Sequence, residues 1–136
     1  MSKQIFLFCL LLLTFYSAQA QLSLLNDSIQ WESDYFLDTG TQDTVSIETE
    51  FITCKKQCIQ WLQNGGEYKL EFKIRSVSDD WETSGITTYL VSYQKRNGAI
   101  RFARLGDNTC EINFDFPEDG KNSMPYKFHV STYFKR

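Results

Sequence analysis

The chain is poor in several things that would otherwise point to a function. It holds no cluster of lysine and arginine, which removes the electrostatic footprint of a nucleic-acid binder and of a protein attracted to anionic membrane surfaces. Beyond its first residues it has no apolar run approaching the roughly 20 residues that a bilayer-spanning helix needs. No segment sustains a long helical period. Histidine occurs once, as His129, so only one side chain has an unperturbed pKa near neutrality.

What is present begins at the N-terminus. Lys3 supplies a positive charge, Ile5 to Leu13 is unbroken apolar chain, and Ser17-Ala18-Gln19-Ala20 places small residues three and one before a cleavage point. This three-part pattern predicts a signal peptide over residues 1–20, removed during export. A membrane anchor is the alternative, and the apolar run is short for it. Gln21 rather than cysteine follows the cut, so lipid anchoring is not expected. The mature chain, residues 21–136, is then a single domain of ordinary size in a secreted or periplasmic setting. Loss of Lys3 makes the formal charge of −3 one unit more negative.

Cleavage also removes Cys9 and leaves Cys54, Cys58 and Cys110. In an oxidising compartment three cysteines predict one disulfide and one buried free thiol. Cys110 opens the alternation Cys110, Ile112, Phe114, Phe116 and points inward with it. A bridge from Cys110 to either of the others, or between Cys54 and Cys58, is compatible with the sequence.

The mature chain reads mostly with period two. Tyr68, Leu70, Phe72 and Ile74 alternate with Lys69, Glu71, Lys73 and Arg75, the mark of a half-buried antiparallel strand. Thr44–Thr53 repeats this more weakly, with Val45, Ile47, Thr49 and Phe51 on one side. Residues 55–63 fit either a helical face or a strand, and a strand is preferred. Asn97-Gly98 accepts the positive φ angles of a type I′ turn, which would set Tyr93 opposite Phe102 and place Tyr89, Val91, Tyr93, Ile100 and Phe102 on one face. Gly106-Asp107-Asn108 turns the chain into Thr109–Phe116. Tyr126, Phe128, Val130, Thr132 and Phe134 alternate along a last strand. With a weaker segment over Ser28–Leu37, seven or eight short strands emerge. This predicts an all-β antiparallel meander, closed as a barrel that is similar in architecture to small lipocalin-like domains, or folded as a β-sandwich.

Five features invite a chemical reading. Tyr35-Phe36-Leu37-Asp38-Thr39-Gly40-Thr41 resembles the active-site segment of aspartic proteases, in which a tight glycine turn presents paired aspartates that share a proton. That resemblance implies a dimer using Asp38. The family's second apolar pair before glycine is matched only by Arg104-Leu105-Gly106, which carries a charge. Cys54, Cys58, Cys110 and His129 form a three-cysteine, one-histidine set acceptable to zinc, although their spacing is not that of two close pairs. His129 and Ser131 share a strand face as a base and a hydroxyl. Trp31, Trp61 and Trp81 fall outside the cleanest alternating runs, and Tyr133 lies on the expected outer face of the last strand; these aromatics could stack on a sugar or anchor a partner, or else pack in the core. Glu48, Glu50, Glu111 and Asp115 alternate opposite apolar sets and read as solubilising charges.

No catalytic constellation is complete and no cofactor is implied. The expectation is a non-enzymatic binding or accessory protein of the envelope or extracellular space, taking a protein partner or a small apolar or sugar ligand. A small hydrolase using Asp38 and a disulfide-held inhibitor or effector are the alternatives.

Overall fold

The computed structural model describes residues 22–106 and 108–136. The segment expected to be a signal peptide, and Gln21, lie outside the described residues. The strands are β1 (Ser28–Asp38), β2 (Asp43–Val45), β3 (Thr49–Cys54), β4 (Cys58–Gln63), β5 (Tyr68–Asp80), β6 (Ile86–Tyr93), β7 (Arg96–Gly106), β8 (Thr109–Asp115), β9 (Pro117–Glu118), β10 (Lys121–Asn122) and β11 (Tyr126–Lys135).

Eight of them form a closed antiparallel barrel in the order β1-β3-β4-β5-β6-β7-β8-β11, with β11 pairing back onto β1 from Ile29↔Lys135 to Asp38↔Tyr126. Of the two closures the sequence allows, the barrel is the one formed. Closure satisfies the backbone groups that a flat sheet would leave open on its edges. The short β2 extends the far end of β1, and β9 and β10 make a separate ribbon between β8 and β11.

An eight-stranded barrel has an interior just wide enough for side chains to fill, and here aromatic rings fill it. Phe128 sits 4.8 Å from Phe51 and 5.1 Å from Trp61, and Phe114 lies 5.5 Å from Phe72, mostly edge to face. Such pairs add about 0.5–1.5 kcal/mol each beyond the area they bury. Tryptophan N–H groups inside an apolar barrel need acceptors. Threonines supply them: Trp31 Nε1 donates to Thr53 Oγ1 at 3.1 Å, and Trp61 Nε1 to Thr49 Oγ1 at 2.7 Å.

Three sequence expectations are corrected. The β6–β7 turn falls at Gln94-Lys95, with φ of 48° and 64°, and Tyr93 pairs with Arg96 rather than Phe102. Gly98 is needed elsewhere: a Cβ there would lie 2.5 Å from the Phe116 ring, so this glycine is spent on close packing inside β7 and not on the turn. The register slides by an even number of residues, so the inward set Tyr89, Val91, Ile100 and Phe102 keeps its face. The last strand also does not alternate to its end. A bulge at Ser131 reverses its facing, so Tyr133 turns in and stacks on Trp31 at 4.8 Å while Phe134 turns out, 43% exposed. Val45 and Ile47, expected on one face with Phe51, are likewise exposed: Val45 lies on the short β2, which pairs with the far end of β1 outside the closed barrel, and Ile47 where the chain leaves the ladder between β2 and β3.

Candidate functional site

A concavity on the outer wall lies where β1 and β11 are both irregular. Pairing runs Glu32↔Thr132, Ser33↔Val130, then Tyr35↔His129, so Ser131 is extra on one strand and Asp34 on the other. Residues of both bulges and of the turn at Gly65 and Gly66 together line a groove of about 280 Å³. Four carboxylates line it, from Glu32, Asp34, Glu48 and Glu50, together with Ser33, Thr49, Leu62 and Ser131. No lysine or arginine is among the lining residues.

The charges are placed by register. Glu32 lies directly opposite Glu50 on the neighbouring strand, an arrangement of like charges that costs a few tenths of a kcal/mol to about 1 kcal/mol. Asp34 meets His129, Oδ1 to Nδ1 at 2.8 Å, and the imidazole stacks on Tyr35 at 4.7 Å. Desolvation pushes the Asp34 carboxyl upward, but the hydrogen bond from His129, with backbone N–H donors, outweighs it and holds the group below its ordinary value. Ser131 Oγ donates to the Glu32 carbonyl at 3.3 Å. Its proton is thus directed to the backbone, and the Ser131–His129 pair expected on one face does not form a nucleophile and base.

The aromatic candidates are distributed differently from the groove. Trp31, Trp61 and Trp81 are 0%, 9% and 5% exposed and belong to the core cluster, the alternative reading of these residues. Trp31, Trp81 and Tyr133 come together at one barrel end, where Trp31 and Trp81 meet at 5.8 Å and Trp81 and Tyr133 at 5.9 Å. Arg104 covers this end, its guanidinium 5.3 Å from the Trp81 ring and Nη2 donating to the Trp81 carbonyl at 3.3 Å. Tyr133 also lines a shallow depression with Arg104, Leu105, Gly106 and Asn108. Trp61 packs apart from them, against Phe51, Phe114, Tyr126 and Phe128.

Asp38 occupies the β1–β2 turn. Its Oδ1 accepts from the amides of Gly40 at 2.9 Å and Thr41 at 3.2 Å, which is the ordinary work of aspartate in a turn. Thr39 is tied to the Pro125 carbonyl through both its amide and its hydroxyl. The carboxylate is engaged in its own loop.

The three cysteines among the described residues, Cys54, Cys58 and Cys110, are free thiols, so the expected disulfide is not formed here. Cys110 faces the interior from β8, fully buried, whereas Cys54 and Cys58 face outward from the β3–β4 hairpin, so the barrel wall separates them. Burial pushes the Cys110 thiol well above its ordinary value. His129 is on yet another part of the wall, and the zinc set is not assembled. Among the described residues no group of three or more His, Cys, Asp or Glu side chains is arranged to hold a metal ion.

Sequence reasoning missed the groove, although it noted Glu48, Glu50 and Ser131. Alternation shows that these face outward but cannot show that two bulges bring them around one hollow. Comparison with protein-family models, with curated proteins and with solved structures finds no match.

Proposed function

We propose that this chain is an exported, non-enzymatic binding protein that works from the outer wall of its barrel, using the groove between the β1 and β11 bulges and the Gly65-Gly66 turn to take a cationic segment of another protein. The carboxylate-lined groove carries the reading, while the filled interior and the buried tryptophans count against a ligand held inside the barrel or stacked on an aromatic patch. With Trp31, Phe51, Phe72, Tyr89, Phe102 and Phe128 all within the barrel at 0% exposure, no room remains there for an apolar ligand, and recognition moves outside. The groove then offers what a basic segment needs. Four carboxylates surround it, and the Glu32–Glu50 opposition is relieved when a lysine or arginine is set between them.

A synthetic oligolysine peptide is the probe. It should bind the protein at low ionic strength and weaken as salt shortens the screening length from about 10 Å at 0.1 M toward about 3 Å at 1 M. The double substitution Glu32→Gln, Glu50→Gln should weaken binding about tenfold or more, as expected for loss of two partly desolvated charge contacts. Unchanged affinity in that variant would overturn the assignment of the groove. Export is tested separately by N-terminal sequencing of the protein recovered outside the cytoplasm, where Gln21 is expected as the first residue. A chain that still carries Lys3 would overturn it.

A further inference from the structure

Cys54 and Cys58 close the β3–β4 hairpin as directly opposed residues of the ladder. Their neighbours fix the facing: Thr53 and Ile59 are 0% exposed and point inside, so the two thiols stand side by side on the outer wall, both half-buried. The hairpin is held from both sides. The Gln57 amide donates to the Cys54 carbonyl at 3.0 Å, and the Gln57 carbonyl accepts from Ile74 of β5, also at 3.0 Å. Directly opposed residues of an antiparallel pair have Cα atoms about 4.5–5.5 Å apart, inside the window of about 4.4–6.8 Å that a disulfide spans. Their Cβ atoms, about 4.5–5.5 Å apart by the same geometry, must close to about 3.5–4.5 Å to be bridged. A bridge can form here, but under tension.

We propose that Cys54 and Cys58 are a reversible redox site, a cross-strand dithiol that exchanges with an external disulfide and closes into a Cys54–Cys58 bridge. The thiolate of Cys54 attacks one sulfur of the incoming disulfide, forming a mixed disulfide and releasing one thiolate. Cys58 then loses its proton and attacks the Cys54 sulfur, breaking the mixed disulfide and releasing the second thiolate. Two protein thiols are oxidised, one external disulfide is reduced to two thiols, and the protons pass to the released sulfurs. The order follows from surroundings. Desolvation, with the Cys54 thiol and the Glu71 carboxylate nearby, pushes Cys58 up to about 12, so it reacts second, inside the mixed disulfide, where proximity compensates. Lys73 lies opposite Cys58 in the ladder, and Lys55 and Lys56 belong to the turn, so the dithiol sits among exposed polar residues that an external disulfide can reach. Because the bridge spans a turn of only three intervening residues, it removes little freedom from the unfolded chain, and tension favours its reopening. It acts as an exchangeable bond rather than a staple.

The test incubates the purified exported protein in mixtures of reduced and oxidised glutathione, quenches with acid, alkylates and maps tryptic peptides. Cleavage after Lys55 and Lys56 separates the two cysteines, so the bridge is read as a joined peptide pair. The expected result is a Cys54–Cys58 pair that forms with oxidised glutathione and disappears with excess reduced glutathione, while Cys110 stays free. Cys58→Ser should accumulate glutathione on Cys54, and Cys54→Ser should accumulate far less on Cys58. Failure to form the pair, a bridge involving Cys110, or a bridge that resists excess reduced glutathione overturns the proposal. None of these outcomes bears on the carboxylate groove, which shares no residue with this site.

Discussion

Single residues show how the barrel balances its interior and its charges. Among the described residues, the Tyr89 hydroxyl is the buried side-chain oxygen without a hydrogen-bond partner, and burial together with the nearby Asp79 charge pushes its ionisation well upward. The ring belongs in the core, but its oxygen does not. Tyr89→Phe keeps the ring and discards the unpaired hydroxyl, so it should raise stability by about 1 kcal/mol, read as a higher urea midpoint. A lower midpoint would mean that the oxygen has a partner in solution. The carboxylates give a second expectation. Asp34 is held below its ordinary value of 3.8 by His129 against desolvation, Asp27 by the Ser23 amide and then Lys135, and Asp80 by Thr83 and Ser84. A depressed folded pKa contributes stability above the unfolded value and loses it as pH falls through the folded one. Stability should therefore decline as pH drops below 3.8, and Asp34→Asn should flatten part of that decline in denaturation curves taken across the acid range. At this scale the sequence was legible for Phe51, Phe72 and Phe128, whose facing follows from alternation. It was not legible for Asp34, whose partner lies 95 residues away.

Elements reveal where local rules yield to packing. Asn97-Gly98 is the better turn by local preference, yet the hairpin turns at Gln94-Lys95, both at positive φ, because the Phe116 ring occupies the space where a side chain at position 98 would begin. Two contrasting substitutions follow. Gly98→Ala must displace Phe116 and should cost about 1–3 kcal/mol, whereas Lys95→Gly relieves a left-handed backbone that costs an L-residue roughly 1–2 kcal/mol, offset by about 0.4–1 kcal/mol of added unfolded-chain freedom, and should give a net gain below about 1 kcal/mol. Thermal denaturation of both variants checks the pair; the reverse order would restore the turn to Asn97-Gly98. Strand existence was readable across β1, β5, β6, β7, β8 and β11 because each presents a period-two face. The ends of β1 and β11 were not readable. A bulge adds a residue without altering composition, and its position is set by how the closing strands fit around the barrel. The bulge at Ser131 moved Tyr133 inward and sent Phe134 out, and together with the one at Asp34 it concealed the carboxylate groove.

For the whole molecule, the fold class was legible and its closure was half legible: a meander of this many short strands must hide its edges, and either a barrel or a sandwich would do so. Closure links the first strand to the last. The Arg136 amide donates to the Ser28 carbonyl at 2.9 Å, and Lys135 pairs with Asp27 at 3.4 Å, so the final residues lie beside the start of β1. Each barrel strand thus has a neighbour on both sides, and the pairing forms a ring in which no strand is structurally first. The covalent order of the chain becomes one cut among several. A circular permutant that joins Arg136 to Leu22 through a short flexible linker and opens between Gln94 and Lys95 should rebuild the same eight strands. Its far-ultraviolet spectrum and aromatic fluorescence should match those of the parent, with stability reduced by the loss of one hairpin link. If it instead aggregates, the β6–β7 hairpin must form before the ring can close, and the barrel has a beginning in time although it has none in space.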